Sequence, residues 1–314
     1  MEEKDELYMH RCLQLAACGR QESRPNPMVG AVIVAEGRII GEGYHVRCGE
    51  GHAEVNAFAS VSQPDEKLLP VATVYVSLEP CSHYGKTPPC ADLIIQKGVR
   101  RVVVGCVDPF AKVQGRGIQK LRDAGIEVRV GVLERECQWL NRRFFTFHSQ
   151  HRPYIILKYA RTQDGFLDDH GQSLAISTPF TRMLVHRLRA EEDAIVVGRV
   201  TNEREHPRLD VRYWAGRSPR RFVLSGCTID SLFDVCRQEQ LQSLIVEGGR
   251  QTLQSFINQG LWDEIRVETA PLRVGDGTPA PQLPSNLAIR AKETYGGNTI
   301  ITYVTSSEAP SEFQ

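Results

Sequence analysis

The chain has 314 residues, 41% hydrophobic and 24% charged, the composition of a folded globular protein with room for two domains. Basic and acidic side chains number 38 each, so no net field draws in nucleic acid or an anionic membrane, and a small-molecule substrate is expected instead. No apolar run approaches the roughly 18 residues of a membrane span, the N-terminal MEEKDELYMHRCLQLAACGR lacks the basic start and apolar block of a signal peptide, and an odd cysteine count suits reduced thiols in the cytoplasm.

In chain order, residues 5–20 place Leu7, Cys12, Leu15 and Ala16 at helical spacing, with Gly19 as a stop. VGAVIVAEGRIIGEGY (29–44) predicts two short strands around a Glu-Gly turn. HAEVNAFASV (52–61) predicts a helix and ATVYVSLEP (72–80) a strand. PCADLIIQKGV (89–99) has proline in its first turn and Gly98 near its end, a helix signature. RRVVVGCV (100–107) is a buried strand, GIQKLRDAGI (117–126) a helix, EVRVGV (127–132) a strand and 133–148 a helix. The polar stretch 148–153, ending in Pro153, is the natural linker.

A second such series follows. PYIILKYART (153–162), DAIVVGR (193–199), RRFVLSG (220–226) and QSLIVEGG (242–249) predict strands, with others near 264–270 and 299–304. TPFTRMLVHRLRAEE (178–192) and RQTLQSFINQG (250–260) predict helices. The expectation is an α/β protein of two layered domains, 1–149 and 150–314.

PCSHYGKTPPC (80–90) holds two cysteines around a turn-rich loop. As a disulfide they conflict with the reducing setting; as core thiols they leave the nearby HAE (52–54) unexplained. Zinc favours tetrahedral nitrogen and sulfur ligands, and catalytic sites take three from the protein. His52, Cys81 and Cys90 fit that rule. His52 and Cys90 stand at predicted helix starts and Cys81 follows a strand; helix N-termini favour thiolate. Glu54, two residues from His52, suits a proton shuttle, as in the H-x-E…P-C-x-x-C pattern of zinc deaminases, here with a longer cysteine spacing. A purely structural zinc has no use for that carboxylate. In the intervening loop, Lys86 is either a solvated surface lysine or a point charge for a substrate phosphate.

Together, RPNPMVGAVIV, GEGYH, GHAEVNA, YVSLEPCSHYGKTPPCADLII and VDPFAKVQGRG resemble the deaminase domain of the bifunctional deaminase/reductase family of riboflavin biosynthesis. The resemblance implies a cytidine-deaminase-like three-layer fold over about residues 5–148. It implies a diaminopyrimidinone substrate carrying a ribosylamino 5′-phosphate, with Glu54 shuttling the proton as ammonia leaves. It places Asn26 and His45 on the pyrimidine, and His83, Lys86 and Asp108 around the ribose and phosphate. Where family members often read DPNP, this chain has Asp108-Pro109-Phe110-Ala111.

ILKYARTQDGFL, ISTPFTRMLVHRLRAEEDAIVVGRVT, PRLDVR and LIVEGGRQTLQSFINQGLWDE are similar to the family's dihydrofolate-reductase-like, NADPH-using domain. The resemblance puts Lys158, Thr162, Asp164, Arg208 and Arg212 on the substrate side and Gly198, Thr201, Glu247, Gly248 and Gly249 on the cofactor side. It also implies a homo-oligomer built through this domain. A strand-Gly-Gly-helix unit is itself a weak phosphate-binding signal.

The stretch Thr201–Pro207 has Glu205 and His206 where the family has acidic or amide residues. Only CTIDSLFDVCRQEQL separates RRFVLSG from QSLIVEGG, where the family carries several tens of residues and a strand of the cofactor sheet. This shortened domain is expected to lack an internal strand and leave backbone groups unpaired. A second reading is therefore a deaminase joined to an impaired reductase. A tRNA or cytidine deaminase leaves the C-terminal half unexplained, and the chain's balanced charge and shortage of basic-aromatic patches count against a zinc-stabilised protein that binds nucleotides or RNA.

Overall fold

In this computed structural model, residues 2–82, 88–109, 114–225 and 228–306 are described. The chain forms two compact units, Met1–His151 and Arg152–Gln314.

The first unit runs α1 (Glu2–Cys18), β1 (Gly30–Ala35), β2 (Arg38–Tyr44), α2 (Ala53–Ala59), a 3₁₀ segment (Gln63–Val71), β3 (Thr73–Leu78), α3 (Cys90–Gln96), β4 (Arg101–Cys106), α4 (Arg116–Asp123), β5 (Glu127–Val130), α5 (Glu134–Leu140) and α6 (Arg142–Gln150). Its sheet order is β2-β1-β3-β4-β5. The β1–β2 and β1–β3 pairs are antiparallel; β3–β4 and β4–β5 are parallel. Glu36 and Gly37 both have positive φ, as a tight two-residue hairpin turn requires.

Alternate residues of the strands face opposite ways. Ile33, Val76 and Val104 pack with Ala57, Ile94 and Leu121 of the helices on one face. Val32, Tyr75 and Val103 pack with Met9, Cys12 and Cys137 on the other. Both faces are covered, which is why these strands read as unbroken apolar runs.

The helix expected over 133–148 is two helices. Asn141 (φ −100, ψ 19) leaves the helical conformation between them. Its side chain accepts from the Met28 N–H and donates to the Met28 carbonyl, both at 2.8 Å, and so holds the loop that carries Asn26. Asn141 is 3% exposed. An Asn141→Ala variant leaves both Met28 groups unpaired and should lose about 2 kcal/mol of stability, read from the denaturant midpoint of the unit.

The second unit runs β6 (Tyr154–Arg161), α7 (Pro179–Glu191), β7 (Ala194–Gly198), α8 (Arg199–Glu205), β8 (Arg220–Leu224), α9 (Ile229–Gln238), β9 (Ser243–Glu247), α10 (Arg250–Asn258), β10 (Glu264–Thr269), β11 (Leu287–Tyr295) and β12 (Asn298–Thr305). The seven strands are ordered β11-β12-β10-β6-β9-β7-β8. From β10 to β8 all neighbours are parallel, while β12 is antiparallel to β10 and β11.

The expected gap in this sheet is not there. β8 is its edge strand, and β9 pairs with both β6 and β7. Residues missing after β8 therefore cannot open the ladder, and α9 returns the chain to β9. Leu232, Phe233 and Cys236 of α9 are buried against the sheet. The reading of an impaired reductase rested on that gap and loses its ground. Among the described residues, no helix is long and apolar enough to cross a membrane.

Candidate functional site

In the first unit, His52 is the extended residue that caps α2 (φ −69, ψ 168). Cys90 is the first residue of α3, with Pro89 as its cap. Cys81 follows β3. His52 Nδ1 lies 3.6 Å from Cys81 Sγ and 3.3 Å from Cys90 Sγ, and the three donor atoms fall within 4.8 Å of one another. Cys81 and Cys90 are both free thiols, so the disulfide reading falls.

Tetrahedral zinc at ordinary bond lengths separates nitrogen and sulfur ligands by about 3.6 Å. The set fits such an ion, with one corner of the tetrahedron left for another ligand. The Cys81 thiol is held well below its usual value by the hydrogen bond from the Cys90 thiol. His52 and the Cys90 N–H (3.3 Å) add to this against the cost of burial.

Glu54 sits in the first turn of α2, 3% exposed and outside the donor set. Burial, then the charge of Cys81, pushes its carboxyl up to about 7. The position of α2 is set by close packing on β2: a Cβ on Gly43 would come within 2.4 Å of Ala57 N, so GEGYH brings helix and strand backbones together.

His45 lies next to this cluster, its ring 5.4 Å from that of His52 and edge-on. Its Nδ1 is 3.1 Å from the Gly51 carbonyl, so Nδ1 carries the proton and Nε2 accepts from the Asn26 amide at 3.1 Å. Burial lowers its pKa. The Asn56 amide donates to the Tyr44 and Gly51 carbonyls and fastens this loop from α2. Asp108, 8% exposed, follows β4 at the sheet end where Cys81 follows β3. His83, Lys86 and Phe110 lie outside the described residues.

Sequence reading missed Glu79, Asn56 and Asn141 as residues that hold this site together. Glu79 stands within the quoted SLEPC, yet its partners are backbone N–H groups 29 to 39 residues away, which carry no sequence label.

The second unit has a broad cleft of about 1510 Å³, lined among others by Lys158, Gly198, Thr201, Glu247, Gly248 and Gly249. Lys158 and Glu247 are register partners on β6 and β9. Arg189 grips the Glu247 carboxylate at 3.2 and 2.8 Å. Thr201 Oγ1 accepts from Gly249 N at 3.1 Å, tying α8 to the start of α10. A Cβ on Gly198 would meet Thr252 Oγ1 at 2.3 Å, which packs the end of β7 on α10. Five basic and three acidic side chains line the cleft, which with the α10 N-terminus suits an anionic ligand.

The other sequence-selected residues sit elsewhere. Thr162 is fully buried; its hydroxyl donates to Asp164 at 2.6 Å and accepts from Phe166 N. Asp164 accepts from Val274 and Gly275 N–H groups, so the pair braces a loop rather than lining the cleft. Arg208 and Arg212 are exposed, ion-paired to Asp210, and also outside the lining. Glu205, at the end of α8, does line the cleft, and burial raises its pKa.

The comparisons with known proteins fit this geometry. The family model of the cytidine and deoxycytidylate deaminase zinc-binding region matches residues 2–106, and that of the RibD C-terminal domain matches 153–239 and 226–301. The riboflavin biosynthesis protein RibD of Aquifex aeolicus (strain VF5) is 37% identical over 354 residues, covering 96% of this chain and 98% of that one. The RibD of Bacillus amyloliquefaciens is 34% identical over 331 residues, 90% of this chain and 88% of that one. Among solved structures, a diaminohydroxyphosphoribosylaminopyrimidine deaminase/5-amino-6-(5-phosphoribosylamino)uracil reductase from Thermotoga maritima superposes with TM-score 0.88 at 32% identity, over 97% of this chain and 99% of that one. With a zinc-binding deaminase region and a reductase domain matched in one chain, this protein belongs to the RibD family of riboflavin biosynthesis proteins.

Proposed function

We propose that the chain carries out two successive steps of riboflavin biosynthesis. The first is hydrolytic deamination of 2,5-diamino-6-ribosylamino-4(3H)-pyrimidinone 5′-phosphate; the second is NADPH-dependent reduction of the ribosyl group to ribityl. The observation that carries the first step is the convergence of one imidazole and two thiols beside a buried carboxylate outside the set. The second rests on a continuous sheet whose cleft is lined by both cationic groups and glycines.

His52, Cys81 and Cys90 would hold zinc, which when bound supplies a water ionised near neutral pH. The Glu54 carboxylate takes a proton from the attacking water and returns it to the departing amine. Asn26 and the Nδ1-protonated His45 stand on the pyrimidine side, and Asp108 on the ribose side. In the second unit, Gly198, Thr201, Gly248 and Gly249 would hold the nucleotide, which supplies a hydride when bound. Lys158 meets the carbonyl or anionic groups of the substrate, oriented by Glu247.

Incubating the purified chain with this substrate and excess NADPH tests both halves. Ammonia release and NADPH oxidation are expected in equal amounts. Ammonia without NADPH oxidation would remove the reductase from the proposal; NADPH oxidation only with pre-deaminated substrate would remove the deaminase.

A further inference from the structure

We infer that Glu79 is a positioning residue for the deamination, tying the loop after β4 to the segment that carries Cys81; this rests on the deaminase reading above. Glu79 is 4% exposed and lies two residues before Cys81. Its carboxylate accepts four backbone N–H groups. One oxygen takes those of Asp108 (3.3 Å) and Gly115 (2.9 Å), the other those of Gly117 (2.9 Å) and Ile118 (3.3 Å). Its own N–H donates to the Cys106 carbonyl at 2.9 Å. One side chain thus fixes both ends of the connection from β4 to α4, from the strand end where a metal ligand stands.

The fit on the Cys81 side is close. A Cβ on Gly117 would lie 1.9 Å from the Pro80 carbonyl oxygen, so the start of α4 rests directly on the residue before Cys81. Cys81 itself is held independently of Glu79. The Cys90 N–H donates to its sulfur at 3.3 Å and the Ala91 N–H to its carbonyl at 3.1 Å. Loss of the Glu79 carboxylate should therefore free Asp108 and Gly115 and leave the metal ligands in place. Asp108 begins that loop at the carboxyl ends of parallel strands β3 and β4, where ligands bind in open α/β sheets. The consequence is weaker substrate binding at an intact metal centre.

In Glu79→Gln, whichever way the amide turns, its NH₂ faces two N–H donors. The expected result is a KM for ammonia release raised about tenfold, with kcat within about threefold of the parent. Zinc should stay at the parent's stoichiometry. Glu79→Asp keeps the charge with a shorter reach and should fall between. A fall in kcat or loss of zinc at unchanged KM would overturn the inference, as would unchanged constants throughout.

If Glu79→Gln does not fold, the loop can be moved from its other end. Gly115 has φ +74 with open space where its Cβ would be. Gly115→Ala strains the backbone there, whereas Gly115→Asn tolerates that region. KM should rise in the first and return in the second; equal KM values in the two would overturn the inference. Absence of ammonia from the parent chain would instead overturn the deaminase reading on which it rests.

Discussion

Glu54→Gln is expected to retain zinc and lose ammonia release by about a thousandfold, or about 4 kcal/mol of transition-state stabilisation. The substitution changes little in shape. Glu54 lies outside the donor set formed by His52, Cys81 and Cys90, so glutamine should leave metal binding intact. What disappears is a buried carboxyl able to accept and return a proton beside the His52, Cys81 and Cys90 set, the role proposed for it above. Metal content must be measured on the same sample, because zinc loss would also abolish ammonia release. A variant that keeps zinc and keeps deaminating would refute the assigned role. The same variant should reduce pre-deaminated substrate at the parent rate, since the Lys158 and Glu247 cluster lies wholly within the other unit.

The grouping of His52, Cys81 and Cys90 was legible because each stands at an element boundary that the sequence marks. Pro89 announces α3 at Cys90, β-branched residues announce β3 before Cys81, and HAE opens α2. Residues that organise the site from a distance were not legible. Asn141 bonds the backbone of Met28, 113 positions away, and nothing in either stretch encodes the pairing. In the second unit, α8 buries none of its residues and so has no apolar period to read. β11 has no buried residue and carries an irregularity between Ile289 and Ala291, which blurs its alternation. The sheet gap was misjudged for a related reason: residue patterns locate strands, but whether β8 is an edge or an interior strand is decided by long-range pairing.

Glu247→Gln is expected to destabilise the second unit by about 3 kcal/mol and to abolish NADPH oxidation while ammonia release persists. The Glu247 and Arg189 side chains are 13% and 11% exposed, and the carboxylate balances both Arg189 and Lys158. Burial alone would raise the Glu247 pKa, but Lys158, then Arg189, outweigh it and the pKa is lowered from 4.5. A lowered folded pKa means the stabilisation is complete above the ordinary glutamate value and is lost as the pH falls through the folded one. The parent's second unit should therefore weaken below about pH 4.5, and Glu247→Gln should lack that part of the acid limb. Native-state hydrogen exchange of the β6 and β9 amides reads both effects in the full chain. Replacing Arg189 by Gln in the same chain removes one of the stranded cations, so the double variant should be more stable than the sum of the two single losses. Strict additivity would mean that Glu247 and Arg189 do not act on each other.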